Sequence, residues 1–214
     1  MRVKICGIMR LNDVSAAVDE GADAVGFVID SPSSPRNLPL TKARKLMKAV
    51  RVFSTKVVVT SAHDPKRMVK VCSKLKPDAL QLHYHTPELV HVLKKKQSTT
   101  SLILATGIRD ISSLKQAKSM SRYADAVLAD SPSVTGMGGT GRTHDWRLTA
   151  RIRKTIRPHP LILAGGLTPS NVKAAIEIVR PFAVDVSSGV EKAVGVKDHR
   201  KIKEFIMNAK ESST

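Results

Sequence analysis

Two side chains in this sequence have the chemistry of an acid and base pair, and each stands where a short apolar run gives way to a loop. In Val3-Lys4-Ile5-Cys6-Gly7-Ile8 the alternation puts Val3 and Ile5 on one face of a strand and Lys4 and Cys6 on the other, and Gly7 lets the backbone turn sharply beyond the thiol. Ala126-Val127-Leu128-Ala129 ends in the same way, at Asp130. A thiolate can take a proton, and a carboxyl group whose pKa is raised by burial can give one. Each residue also has a plainer reading, as a buried inert cysteine and as a loop-capping aspartate.

Two further stretches have the composition of an anion cradle. Ala164-Gly165-Gly166-Leu167-Thr168-Pro169 follows an apolar run and leads into a helical pattern, and Val186-Ser187-Ser188-Gly189-Val190-Glu191 follows the next one. Small residues there leave backbone N–H groups bare, so Gly165, Gly166, Ser187, Ser188 and Gly189 are candidates to hold a phosphate; the alternative is two tight turns. Arg36, in a proline-rich loop, offers a planar fork that can grip a carboxylate, or is a surface arginine. Gln81, His83 and His85 share a face only while a strand persists, and no acidic partner is spaced to join them. A metal is therefore not expected, and His83 reads as a hydrogen-bonding group at a rim.

The elements that must position these groups alternate along the chain. Apolar runs at 3–6, 24–29, 56–60, 79–82, 102–105, 126–129, 161–164 and 183–186 read as strands. Helical patterns over 11–20, 41–51, 65–75, 87–95, 111–120, 145–156, 169–179 and 198–208 separate them. The exception is 131–144, where Gly136, Gly138, Gly139 and Gly141 predict a mobile or substrate-covering loop. Eight strand and helix pairs at roughly 27-residue spacing predict one closed (βα)8 barrel over residues 1–214, an α/β fold. An open doubly wound sheet is the alternative, without the paired phosphate loops. In the barrel, working side chains gather at the carboxyl ends of the strands, where Cys6 and Asp130 stand.

Composition sets the outer limits. Hydrophobic residues make up 42% and aromatics 3%, so the core must be built from Val, Ile, Leu and Ala. No apolar run approaches the roughly eighteen residues needed to cross a bilayer, and no signal-peptide pattern is present, so a cytoplasmic protein is expected. Cys6 and Cys72 are too few and too far apart for a disulfide framework. Lys and Arg number 36 against 18 acidic residues, a formal charge of +18 that attracts anions. The basic residues are spread along helices with almost no aromatics between them, which argues against nucleic-acid binding and suits a small phosphorylated substrate.

Taken together, Lys4-Ile5-Cys6-Gly7-Ile8, Gly21 to Phe27, Ser34-Pro35-Arg36, Gln81-Leu82-His83, Gly138 to Gly141 with Asp145-Trp146, Ala164 to Leu167 and Val184 to Glu191 resemble the phosphoribosylanthranilate isomerase family of tryptophan biosynthesis. The resemblance implies a cofactor-free Amadori rearrangement of a phosphorylated aminoaldose. It implies Asp130 as the acid that opens the sugar ring and Cys6 as the base at its second carbon. Arg36, His83 and Asp185 would contact substrate, and the two small-residue loops its phosphate. Lys4 is a candidate to ease ionisation of the thiol. Tyr84-His85-Thr86 and His144 depart from the family pattern. A related phosphosugar isomerase of histidine biosynthesis is the nearest alternative, though a carboxylate would be expected there in place of Cys6; a basic RNA-binding barrel is the other. The chain is expected to be a monomer or a homodimer.

Overall fold

The alternation of apolar and polar residues closes on itself in the computed structural model, which describes residues 1–97, 99–132 and 143–212. The barrel strands are β1 (Arg2–Ile5), β2 (Ala24–Ile29), β3 (Thr55–Thr60), β4 (Ala79–Leu82), β5 (Ser101–Gly107), β6 (Ala126–Asp130), β7 (Leu161–Leu163) and β8 (Ala183–Val186). Each pairs in parallel with the next, and β1 closes the ring by pairing with both β2 and β8. The helices are α1 (Leu11–Asp19), α2 (Leu40–Lys48), α3 (Pro65–Leu75), α4 (Pro87–Lys96), α5 (Ser112–Ser121), α6 (Trp146–Ile156), α7 (Val172–Val179) and α8 (His199–Glu211). The expected (βα)8 architecture is present. No helix among the described residues is long and apolar enough to cross a membrane.

Strand alternation splits the core into two layers. Val3, Ile5, Phe27, Leu80, Leu104 and Val184 belong to the layer shared with the helices. Cys6, Val28, Val59, Ala105, Leu128 and Ala164 belong to a second cluster of mostly small residues, as the crowded interior of an eight-stranded barrel requires. Aspartate and threonine side chains fix where the helices start. Asp64, Thr86, Asp145 and Asp198 accept hydrogen bonds from the first free N–H groups of α3, α4, α6 and α8.

At the rim opposite the site, aspartate recurs just before alternate strands. Asp23, Asp78 and Asp125 accept from Val3, Lys56 and Leu102 N–H at 2.9, 2.7 and 2.7 Å, so each residue just before β2, β4 or β6 clamps the preceding strand. The fourth place, before β8, holds Phe182, with the Arg2 guanidinium 4.2 Å over its ring. These contacts hold the staves in register far from the carboxyl ends.

The structure departs from the sequence reading in four places. The helix expected from Pro169 begins at Val172, because Asn171 closes a turn by accepting from Thr168 N–H and donating to the Gly166 carbonyl. The helix expected to reach Arg51 stops at Lys48. Asn37–Leu38, placed in a loop, adds a short parallel strand to Val28 and Ile29. After β8 comes a 3-10 turn, Ser188–Val190, then an antiparallel hairpin of Glu191–Ala193 with Val196–Lys197. Two- and three-residue pairings are too short to show a period. The glycine-rich stretch with Gly136, Gly138, Gly139 and Gly141 lies outside the described residues.

Candidate active site

Cys6 follows β1 directly. Its N–H donates to the Val186 carbonyl at 2.8 Å, and Gly7, at φ +70°, turns the chain away. Gly7 is also demanded by crowding, since a Cβ there would lie 2.5 Å from Arg36 Cδ and 2.8 Å from Ser187 Oγ. Across the barrel wall, β2 passes the thiol at Gly26, where a Cβ would lie 2.8 Å from Cys6 Sγ. The thiol is 7% exposed, and burial is the main influence raising its pKa. The nearby Lys4 ammonium opposes that rise but does not overcome it, and the Asp185 carboxylate adds to it.

Below the thiol a polar chain crosses the barrel interior. Lys4 Nζ donates to Asp185 Oδ2 at 2.9 Å and to Gln81 Oε1 at 3.0 Å, and all three residues are buried. An ammonium can only donate, so it fixes the Gln81 amide with its oxygen toward Lys4 and its NH2 toward His83 Nε2, 3.0 Å away. That nitrogen must therefore accept, which makes His83 neutral, and burial with the Lys4 charge pulls its pKa down to about 4. The other ring of the pair weighed as metal ligands, His85, turns to the Ala105 carbonyl at 3.3 Å. Among the described residues no group of three His, Cys, Asp or Glu side chains is placed to hold a metal ion. Asp185 Oδ1, at the end of this polar network, is buried and receives no hydrogen bond from the described residues.

Asp130 ends β6, with Oδ1 accepting from Ser131 N–H at 2.8 Å. Burial lifts its carboxyl pKa to about 6, aided by the Asp185 charge and opposed by the Ser131 N–H and Lys4. His144, one of the departures from the family pattern, bonds Ser131 Oγ at 3.2 Å and Thr149 Oγ1 at 2.7 Å, so it braces the residue next to Asp130. Gly165, at φ +82°, packs against Ser131, and its absent Cβ would come 2.9 Å from Asp130 Oδ1. Gly166 is left-handed as well, at φ +63°. Neither glycine N–H donates to an acceptor among the described residues. Gly189 is pressed against the Leu167 carbonyl, where any side chain would collide, so the loops after β7 and β8 meet through glycine.

One cleft at the carboxyl ends of the strands is lined by Cys6, Asp130, Arg36, His83 and Asp185 together with the five loop residues Gly165, Gly166, Ser187, Ser188 and Gly189. These ten are the residues that the sequence offered as catalytic, substrate-contacting or phosphate-holding; Lys4 and His85 do not line the cleft. Arg36 does grip a carboxylate, but its own chain's: Nε and Nη2 donate to Glu191 at 2.8 and 2.6 Å. The other three of its five N–H bonds have no acceptor among the described residues. Glu191, Lys197 and the spacing role of Gly26 were missed in the sequence. Gly26 in mid-strand was the one available signal, since glycine inside a strand marks a close approach.

The family profile described as N-(5'phosphoribosyl)anthranilate (PRA) isomerase matches residues 3–208. The N-(5'-phosphoribosyl)anthranilate isomerase of Methanothrix thermoacetophila is 44% identical over 206 residues, 96% of each chain. The crystal structure of phosphoribosyl anthranilate isomerase from Thermotoga maritima superposes with a TM-score of 0.86 at 39% identity over 99% of both chains. A structure of the isomerase in complex with reduced 1-(o-carboxyphenylamino)-1-deoxyribulose 5-phosphate gives 0.84 at 38% identity, again over 99% of both. With this barrel, this cleft and these relatives, the chain belongs to the N-(5'-phosphoribosyl)anthranilate isomerase family.

Proposed function

We propose that the chain converts N-(5'-phosphoribosyl)anthranilate into 1-(2-carboxyphenylamino)-1-deoxyribulose 5-phosphate by an Amadori rearrangement, with Asp130 as general acid and Cys6 as general base. The observation that carries this reading is the shared cleft. A carboxyl group whose pKa is raised to about 6 and a thiol line it together, beside a loop whose Gly165 and Gly166 N–H groups have no acceptor among the described residues.

The order of events follows from the charges. Protonation of the furanose oxygen by Asp130 breaks the bond to the first carbon, and the nitrogen lone pair forms a cationic C=N bond. The thiol is hard to ionise in the free protein, because burial opposes the thiolate. A positively charged C=N group attached to the second carbon acidifies that carbon's C–H and favours the thiolate at the moment it is needed. Cys6 then takes the proton from that carbon, the electron pair neutralises the nitrogen, and the resulting enolamine becomes the ketone as the first carbon takes up a proton and the hydroxyl on the second carbon gives one up.

The remaining groups hold the substrate in that geometry. The phosphate rests on the N–H groups of Gly165, Gly166, Ser187, Ser188 and Gly189, and a fixed phosphate sets where the sugar lies between acid and base. Asp185 lines the same cleft, and its carboxylate accepts from a sugar hydroxyl. Arg36 uses its free N–H bonds on the anthranilate carboxylate, and neutral His83 lines the same wall. The test is the loss of phosphoribosylanthranilate fluorescence with purified protein. Turnover supports the reading, and no turnover with a folded protein overturns it.

A further inference from the structure

Two buried charged side chains that the proposed chemistry does not use join Arg36 to the loop after β8. Glu191 Oε1 accepts from Arg36 Nε at 2.8 Å and from Lys197 Nζ at 3.0 Å, while Oε2 accepts from Arg36 Nη2 at 2.6 Å. Lys197 Nζ then donates to the Ser187 carbonyl at 3.0 Å and lies 3.5 Å from Ser187 Oγ. Lys197 is 1% exposed and the Glu191 side chain 5%, so neither is a solvated surface charge. Two cations share one carboxylate, which leaves one surplus positive charge beside the cleft.

The hairpin supplies this arrangement. Pairing of Glu191 with Lys197 brings the two side chains together, and Lys197 N–H is held by Asp13 of α1 at 3.4 Å. On the cleft side, Arg36 is confined by Gly7, whose missing Cβ leaves room for its stem and for Ser187 together. The guanidinium therefore cannot shift without moving Glu191, and Glu191 cannot shift without disturbing the ammonium that holds Ser187.

We infer that Glu191 and Lys197 are positioning residues that couple the two charged ends of the substrate, so that filling the phosphate loop preorganises Arg36 for the carboxylate and the reverse. The inference rests on the assignment of these two ends in the proposed function. Whichever anion binds first orders the shared network, and the second meets groups already in place. Neither residue is among those lining the cleft.

The coupling is measured by titration calorimetry with inorganic phosphate and anthranilate as probes, each alone and each in the presence of the other. In the wild-type protein each anion is expected to tighten the other about fivefold or more, a typical coupling between linked sites. Independent or antagonistic binding overturns the inference. Lys197→Met keeps the Arg36 to Glu191 pair and removes only the link; the coupling factor should fall to about one while both anions still bind, and an unchanged factor overturns the inference. Glu191→Gln should lose the coupling as well and, in turnover, raise KM with kcat nearly unchanged. If either variant fails to fold, the wild-type factor decides alone. Phosphate binding without any anthranilate binding overturns the Arg36 assignment, and this inference with it; two anions that bind without coupling overturn the inference alone.

Discussion

Gly26→Ala tests whether the position of one sulfur atom matters to the reaction. The new methyl would lie 2.8 Å from Cys6 Sγ, 3.1 Å from Lys4 Cε and 3.2 Å from Cys6 Cα. A carbon and sulfur in contact sit roughly 3.7 Å apart, so relief requires the thiol to move by about 1 Å. The backbone cannot yield easily, because β2 is paired with β1 on one side and with β3 on the other. Gly26 has no positive φ, so alanine brings no backbone strain and the effect is one of crowding. A displacement of this size costs on the order of a hundredfold in rate, and overpacking costs about 1–3 kcal/mol of stability. The phosphate loops are untouched, so kcat should fall while KM stays close to wild type. The assay is steady-state loss of phosphoribosylanthranilate fluorescence, with a thermal melt to confirm folding. A folded Gly26→Ala protein with kcat within about threefold of wild type would refute the reasoning.

Other outcomes follow from the same geometry. If Asp130 must be protonated and Cys6 ionised, kcat/KM rises with pH up to the Asp130 pKa of about 6, stays level, then falls beyond the raised thiol pKa. Asp130→Asn should lose the break near 6 and rise monotonically toward the thiol pKa; a retained break assigns it to another group. His83, fixed as an acceptor by the Lys4 and Gln81 chain, should show the neutral Nδ1–H tautomer by nitrogen NMR at pH 5.5, whereas a cationic ring there contradicts the assigned chain. Asp78→Ala removes an acceptor from Lys56 N–H at the far rim and should lower stability by about 0.5–1.5 kcal/mol in denaturant melts with kcat unchanged; a loss of kcat would show that this rim reaches the site.

The barrel was readable because its strands are three to seven mostly apolar residues long and each is followed by a helix-length period. The residues lining the cleft were readable for a related reason: they sit at strand ends, where an apolar run stops at a thiol, a carboxylate or a pair of glycines. What held them in place was not. Lys197 is a lysine between a glycine-valine pair and an aspartate, with nothing in its neighbourhood to announce burial; its position comes from pairing across a hairpin and from Glu191. Arg36 was read as a fork for a ligand's carboxylate or as a surface arginine, and the carboxylate it meets in the fold lies 155 residues away in the chain. Gln81 lies within a stretch that the sequence had singled out, yet its orienting role depends on Lys4, 77 residues distant. Contacts of this kind arise only when the barrel closes.

The central claim is that a sulfur at the end of β1 and a carboxyl group at the end of β6 act on one substrate. The most direct measurement is the turnover of phosphoribosylanthranilate by Cys6→Ser and Asp130→Asn beside the wild-type protein, with melts run on all three. Each folded variant should be slower by about a hundredfold or more, the scale for losing a positioned acid or base. Turnover near the wild-type rate in either variant would contradict the account.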